Sequence, residues 1–147
     1  MKKKYFFLIY LAAIILLNGC GYEPVYSSKN FLFKIDKITH DKNKINNQIV
    51  RSLKSISNNK TKNLLIIELN SNKEKKIVSK DKAGNPQIFE LLISINIKIE
   101  DKQKKFESKQ VYNNIENKFE LNEYELEIEA QIINKLIDDI IIYLSSQ

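Results

Sequence analysis

The segment that most restricts the fold runs from Phe89 to Glu100. Phe89, Leu91, Ile93, Ile95, Ile97 and Ile99 alternate with Glu90, Leu92, Ser94, Asn96, Lys98 and Glu100. Side chains of a strand point to opposite faces in turn, so this period of two reads as one long β-strand with an apolar face. At 3.3 Å per residue it spans on the order of 36 Å. The rest of the chain has to supply neighbouring strands and a cover for that face.

Phe31 to Ile38 reads as a first strand, with Phe31, Phe33 and Ile35 on one side. Asp41 is placed to cap a helix over residues 42–57, and Ile45, Ile49, Leu53 and Ile56 fall on one face of it. Leu64 to Leu69 is a short apolar run, expected as a strand buried on both faces, with the lysine-rich stretch Glu74 to Lys80 as its exposed end. Lys82-Ala83-Gly84-Asn85-Pro86 marks a turn. After the long strand, Asp101 to Lys104 reads as a charged hairpin loop and Phe106 to Ile115 as a polar edge strand. A last helix is expected from a capping box at Asn122 and Glu125. Its apolar stripe comprises Leu126, Ala130, Ile133, Ile137, Ile140 and Leu144, widened by Ile132, Leu136, Ile141 and Tyr143. The order β-α-β-β-β-α predicts an α+β sandwich, two helices packed on one face of a mostly antiparallel four-stranded sheet. Residues 31–147 are expected to form this single domain.

The first residues carry a different signal. Lys2, Lys3 and Lys4 precede 13 uncharged, mostly apolar residues, Tyr5 to Leu17. That is the length of an export-signal core and short of the roughly 20 residues a spanning helix needs. Leu17-Asn18-Gly19-Cys20 resembles the lipobox of bacterial lipoproteins, with Asn18 a slight departure from the usual small residue. That resemblance implies a signal peptide over residues 1–19, a diacylglycerol on the Cys20 sulfur, cleavage before Cys20 and a lipidated tether over residues 20–30. Gly21 stands where Asp often retains such proteins at the inner membrane, so transfer to the outer membrane is expected.

Cleavage also reduces the charge. The whole chain is +6; without the three lysines of residues 1–19, 21 basic and 18 acidic side chains remain, net +3. Half of the basic character is signal, which argues against a nucleic-acid partner, as does the compositional bias toward Lys, Ile and Asn. A single cysteine excludes an intramolecular disulfide, and three glycines leave no phosphate-cradling loop. His40 is the only histidine, and no cluster has metal-ligand spacing. Glu123, Glu125, Glu127 and Glu129 recur every two residues, so they splay around a helix and are expected to be solvated near its positive end. No catalytic constellation can be assembled; the chain is not expected to be an enzyme or to carry a cofactor beyond the lipid on Cys20.

Three stretches together resemble the lipopolysaccharide-assembly lipoprotein (LptE) family: Cys20-Gly21-Tyr22-Glu23-Pro24-Val25-Tyr26, the long strand Phe89 to Glu100, and Tyr112-Asn113-Asn114-Ile115-Glu116-Asn117-Lys118-Phe119 leading to Tyr124 and the terminal helix. The resemblance implies a lipoprotein on the periplasmic side of the outer membrane. Such a protein plugs a large β-barrel, helps it assemble and assists insertion of lipopolysaccharide into the outer leaflet. Its partners would be that barrel, lipopolysaccharide and, through the lipid anchor, the membrane. Lys75, Lys76, Lys80 and Lys82, near the Gly84 turn, are the candidates to meet lipopolysaccharide phosphates. The rival expectation is another outer-membrane lipoprotein with a structural or small-ligand-binding role, for which a deep apolar cavity between helices and sheet would speak.

Overall fold

A computed structural model describes residues 33–58 and 61–146. The expected signal peptide, Cys20, the tether to residue 30 and the first two residues of the expected first strand, Phe31 and Leu32, lie outside the described residues. Six elements follow in order: β1 (Lys34–His40), α1 (Lys44–Ile56), β2 (Leu64–Lys80), β3 (Pro86–Ile99), β4 (Lys102–Asn113) and α2 (Lys118–Leu144). The strands form one sheet in the order β1-β2-β3-β4. β1 lies parallel to β2 through the α1 crossover; the other two pairs are antiparallel hairpins. α1 packs over β1 and β2, and α2 over β3 and β4, so the helices share one face. The expected α+β architecture and element order are those observed.

The long alternating strand forms the centre. Phe89, Leu91, Ile93, Ile95, Ile97 and Ile99 are all buried under the helices. The same buried layer holds Ile45, Ile49 and Leu53 of α1 and Ile133, Leu136 and Ile140 of α2. Burying an aliphatic side chain of this size contributes roughly 1.5–3 kcal/mol, so this layer is the main source of stability.

Several boundaries differ from expectation. β1 begins at Lys34, and its alternation breaks at a bulge: Ile35 pairs with Leu65, but Lys37 pairs with Ile66. One extra residue, Asp36, lets both Ile35 and Ile38 face the helices. β2 is one strand of 17 residues, and its apolar start is not buried on both faces. Leu65, Ile67 and Leu69 are buried, whereas Leu64 is 53% and Ile66 55% exposed. The helices cover one side of the sheet only, and an unbroken apolar run carries no mark of that.

The loop expected over residues 101–104 shrinks to a two-residue turn, Glu100–Asp101, with Glu100 at φ +52°. At the opposite end, Gly84 takes φ +88° in the turn between β2 and β3, a conformation that glycine adopts without a Cβ clash. The Asp81 carboxylate holds that turn by accepting from the Asn85 backbone N–H at 2.8 Å and from Asn85 Nδ2 at 3.0 Å.

Both helix caps lie elsewhere than expected. Asn43, not Asp41, caps α1: its Oδ1 accepts from the Asn46 backbone N–H at 2.8 Å. Asp41 gives its backbone carbonyl to Asn46 Nδ2 instead. α2 begins four residues before Asn122. Asn117 caps it by accepting from the Phe119 backbone N–H at 3.0 Å, while Asn117 Nδ2 donates to Glu120 Oε1 at 2.9 Å. The sequence offers the same Asn-x-x-Glu spacing twice, and the first instance is used because nothing interrupts the helix between them. Ile128 joins the buried stripe of α2 and Ile132 is buried as expected, whereas Leu126 and Ala130 are exposed.

Candidate functional site

The sheet presents an unusual distribution of charge around its narrow end. α2 is about twice as long as α1 and, packed on β3 and β4, continues past the level at which α1 begins at Lys44. Along that stretch the helix-facing side of β2 carries Lys73 and Lys75 instead of aliphatic residues. Glutamates of α2 meet them. Glu129 lies 2.5 Å from Lys73 Nζ and 3.3 Å from Lys44 Nζ, which comes from the first turn of α1. Glu125 pairs with Lys75 and also accepts a hydrogen bond from the Tyr112 hydroxyl at 2.9 Å. Glu129 is buried, and Glu125 is half-buried. The expectation that the acids from Glu123 to Glu129 are simply solvated is therefore wrong for these two. They fall one helical turn apart on the side of α2 that meets the sheet, where the better-solvated lysines reach in and neutralise carboxylates that would otherwise be desolvated without partners.

The electrostatic consequences have definite directions. Burial raises the Glu129 carboxyl pKa, but the hydrogen bonds and charges of Lys73 and then Lys44 outweigh it, leaving the group below its ordinary value. The Tyr112 hydroxyl is pushed well above the usual phenol range, first by burial and then by the Glu125 carboxylate that it donates to. Around it the rings form a small cluster: Phe89 and Tyr112 lie 5.7 Å apart, and Tyr112 and Tyr124 meet edge to face at 6.1 Å. Lys75 Nζ sits 4.1 Å from the centre of the Phe89 ring.

Lys75 and Lys76, neighbours on one strand, point to opposite sides of the sheet. Lys75 is engaged by Glu125 on the helix side. Lys76 is on the open side, 3.4 Å from Glu74, with Lys80 at the strand end and Lys82 in the turn. The four lysines expected to meet phosphate thus do not converge on one point. On the open side, Lys98–Glu68, Lys105–Glu107 and Lys109–Glu90 also pair, so that face is laced with surface ion pairs.

Sequence reasoning missed Lys44, Lys73 and Glu129 as a group. The available signal was a glutamate flanked by Ile128, Ile132 and Ile133 on the apolar arc of a helix. His40 is partly exposed, with Nδ1 3.0 Å from the Asp41 carbonyl. Among the described residues, no three His, Cys, Asp or Glu side chains could hold a metal ion. Nor is any described helix long and apolar enough to cross a membrane. The clefts are surface grooves: one of about 370 Å³ is lined by Ile45, Lys73, Leu126 and Glu129, and one of about 380 Å³ by Lys75, Phe89, Lys118 and Glu125.

No family model and no curated protein matches the sequence. Solved structures do match the fold. An uncharacterized lipoprotein B of Nitrosomonas europaea superposes with a TM-score of 0.60 at 16% identity, over 78% of this chain and 83% of its own. A rare lipoprotein B of Shewanella oneidensis gives 0.56 at 13% identity, over 76% and 95%. A minor lipoprotein of Acinetobacter baumannii gives 0.58 at 10% identity, over 79% and 94%. The β-α-β-β-β-α sheet-and-helix fold of this chain is therefore one that these bacterial lipoproteins share.

Proposed function

We propose that the chain is an outer-membrane lipoprotein, anchored through lipid on Cys20 on the periplasmic side, that plugs a lipopolysaccharide-export β-barrel and assists its assembly. The observation that carries this reading is the fold likeness to bacterial lipoproteins over about three-quarters of the chain. The lipobox-like Leu17-Asn18-Gly19-Cys20 and the three stretches resembling the LptE family support it from the sequence side.

The physical character of the domain suits a plug. The space between helices and sheet is filled with aliphatic side chains, so the body is stiff. Ion pairs such as Lys98–Glu68 and Lys109–Glu90 lie on the open face beside exposed Ile66 and Val111, and the charged part of that face suits contact with a polar barrel lumen. On this reading the domain is not an enzyme: it holds and positions a partner. Lys76, Lys80 and Lys82 are proposed to meet lipopolysaccharide phosphates from the turn end of the sheet, whereas Lys75 is already committed to Glu125.

Depletion of the chain in its host tests the reading. The amount of lipopolysaccharide accessible at the cell surface should fall as the protein is lost, together with the amount of correctly folded export barrel. A normal surface and a normal level of folded barrel after depletion would exclude it. Direct binding of a small apolar ligand by the purified domain would instead favour a ligand-carrying lipoprotein.

A further inference from the structure

The sheet changes width part-way along its length. β1 pairs with β2 only as far as His40 opposite Leu69, whereas β2 continues against β3 to Lys80. Among the described residues, no strand pairs with the outer edge of β2 from Ser71 to Lys80. The helical layer narrows at the same level, because α1 starts at Lys44 and its cap Asn43 Oδ1 accepts from Ser71 Oγ at 3.4 Å. Only α2 continues beyond this point. The result is a step, in line with the end of β1, that the groove of about 370 Å³ occupies. Leu126 is 44% exposed on its wall, and Ile77 and Val78 are exposed farther along the edge.

An unpaired edge presents backbone N–H and C=O groups that an added strand can satisfy. We propose that Ser71–Lys80 receives an extended segment of a partner polypeptide as an additional strand in line with β1. The segment would be aliphatic toward α2 and acidic on the other side. The side chains present determine that chemistry. Toward α2, Lys73 and Lys75 are already neutralised by Glu129 and Glu125, and Leu126 and Ile77 remain to be covered. On the open side, Lys76 lies along the edge between Glu74, 3.4 Å away, and Glu90 opposite it on β3, and beyond two register shifts Lys80 and Lys82 add positive charge at the strand end.

Other occupants fit less well. A second copy would bring its own Lys76, Lys80 and Lys82 to the edge in place of acids that could meet these lysines, and like charges across strands are destabilising. The chain's own residues 21–32 join β1 at the end remote from the step. They would need about 23 Å to return along the seven residues of β1. Twelve residues span at most about 43 Å, which leaves too few to line a ten-residue edge. The inference goes beyond the plug reading and does not depend on the partner's identity.

The test is residue-resolved amide hydrogen exchange on the full chain, with a short synthetic peptide alternating valine and glutamate as the probe. Alternate amides within residues 71–80 should slow by about tenfold or more, with the outer edge of β4 unchanged as an internal control. The same peptide with lysine in place of glutamate should leave both edges unchanged. Val78→Pro should abolish the protection, because Val78 sits at a bulge with no partner residue on β3 and proline there leaves the β3 ladder intact. Should that variant unfold, Lys76→Glu combined with Lys80→Glu should reverse the peptide preference. Protection at the β4 edge, protection nowhere, or edge amides already protected without peptide would each overturn the proposal. A lipopolysaccharide-export barrel captured without protection at residues 71–80 would overturn this inference alone. Protection at 71–80 by a different partner, with no barrel captured, would leave it standing and remove the plug reading.

Discussion

Glu129 of α2 lies 2.5 Å from Lys73 of β2, and the same carboxylate reaches Lys44 at the start of α1. One buried acid thus joins both helices to the sheet at the level where the sheet narrows. Its partners keep much of their length in water, so they can resolvate when it is removed. Glu129→Gln should destabilise the domain by about 1–3 kcal/mol, the scale of lost hydrogen bonds to charged groups. Glu129→Leu should recover part of that loss, because an apolar residue of similar volume avoids the desolvation of a buried charge. Urea unfolding of the three proteins checks the order.

The same pair sets an acid dependence. The Glu129 carboxyl is lowered from an ordinary value of 4.5 when the chain is folded, so its contribution to stability is fully present above that value. As pH falls the unfolded chain takes up the proton first, and the contribution is lost as pH passes through the folded value. Stability of the wild type should therefore fall more steeply than that of Glu129→Gln below about pH 4.5, and the two curves should run parallel near neutrality. Unfolding midpoints measured across this range test the difference.

Neighbouring residues of β2 should respond in opposite ways to truncation. Ile67 is fully buried, and Ile67→Ala should cost about 2–5 kcal/mol through lost contacts and a residual cavity. Ile66, one residue earlier and pointing to the open face, should cost about 0.5 kcal/mol or less. Equal losses at the two positions would mean that both faces of the sheet are covered.

Cap substitutions distinguish the two Asn-x-x-Glu instances. Asn117→Ala should lower stability by about 1 kcal/mol, because the Phe119 and Glu120 backbone N–H groups lose their acceptor. Asn122→Ala, inside the helix, should change stability by about 0.5 kcal/mol or less. Thermal melts followed by circular dichroism provide the comparison.

Elements with strict periodicity were legible in the sequence. The alternation from Phe89 to Ile99 located the central strand and its buried face, and the spacing of Ile45, Ile49 and Leu53 gave the face of α1. Three kinds of feature were not legible. The bulge at Asp36 depends on how β1 docks against β2, which leaves no local mark. The one-sided burial of Leu64 to Leu69 depends on how many layers cover the sheet. The pairing of Glu129 with Lys44 and Lys73 joins residues 85 and 56 positions apart, and only the folded arrangement of three elements brings them together. The four lysines fall in the half of β2 and the turn toward Gly84, but the pleat of β2 sends Lys75 and Lys76 to opposite sides, a separation that adjacent positions in a strand impose.

The plug reading is tested most directly by affinity capture of the full chain from outer membranes solubilised in mild detergent, beside Cys20→Ser. The wild type should fractionate with the outer membrane and bring down a large β-barrel in about one-to-one amount. Cys20→Ser should lose most of its membrane fractionation, since the lipid is the proposed anchor. Recovery of the wild-type chain alone from the outer membrane, without any barrel, would contradict the reading.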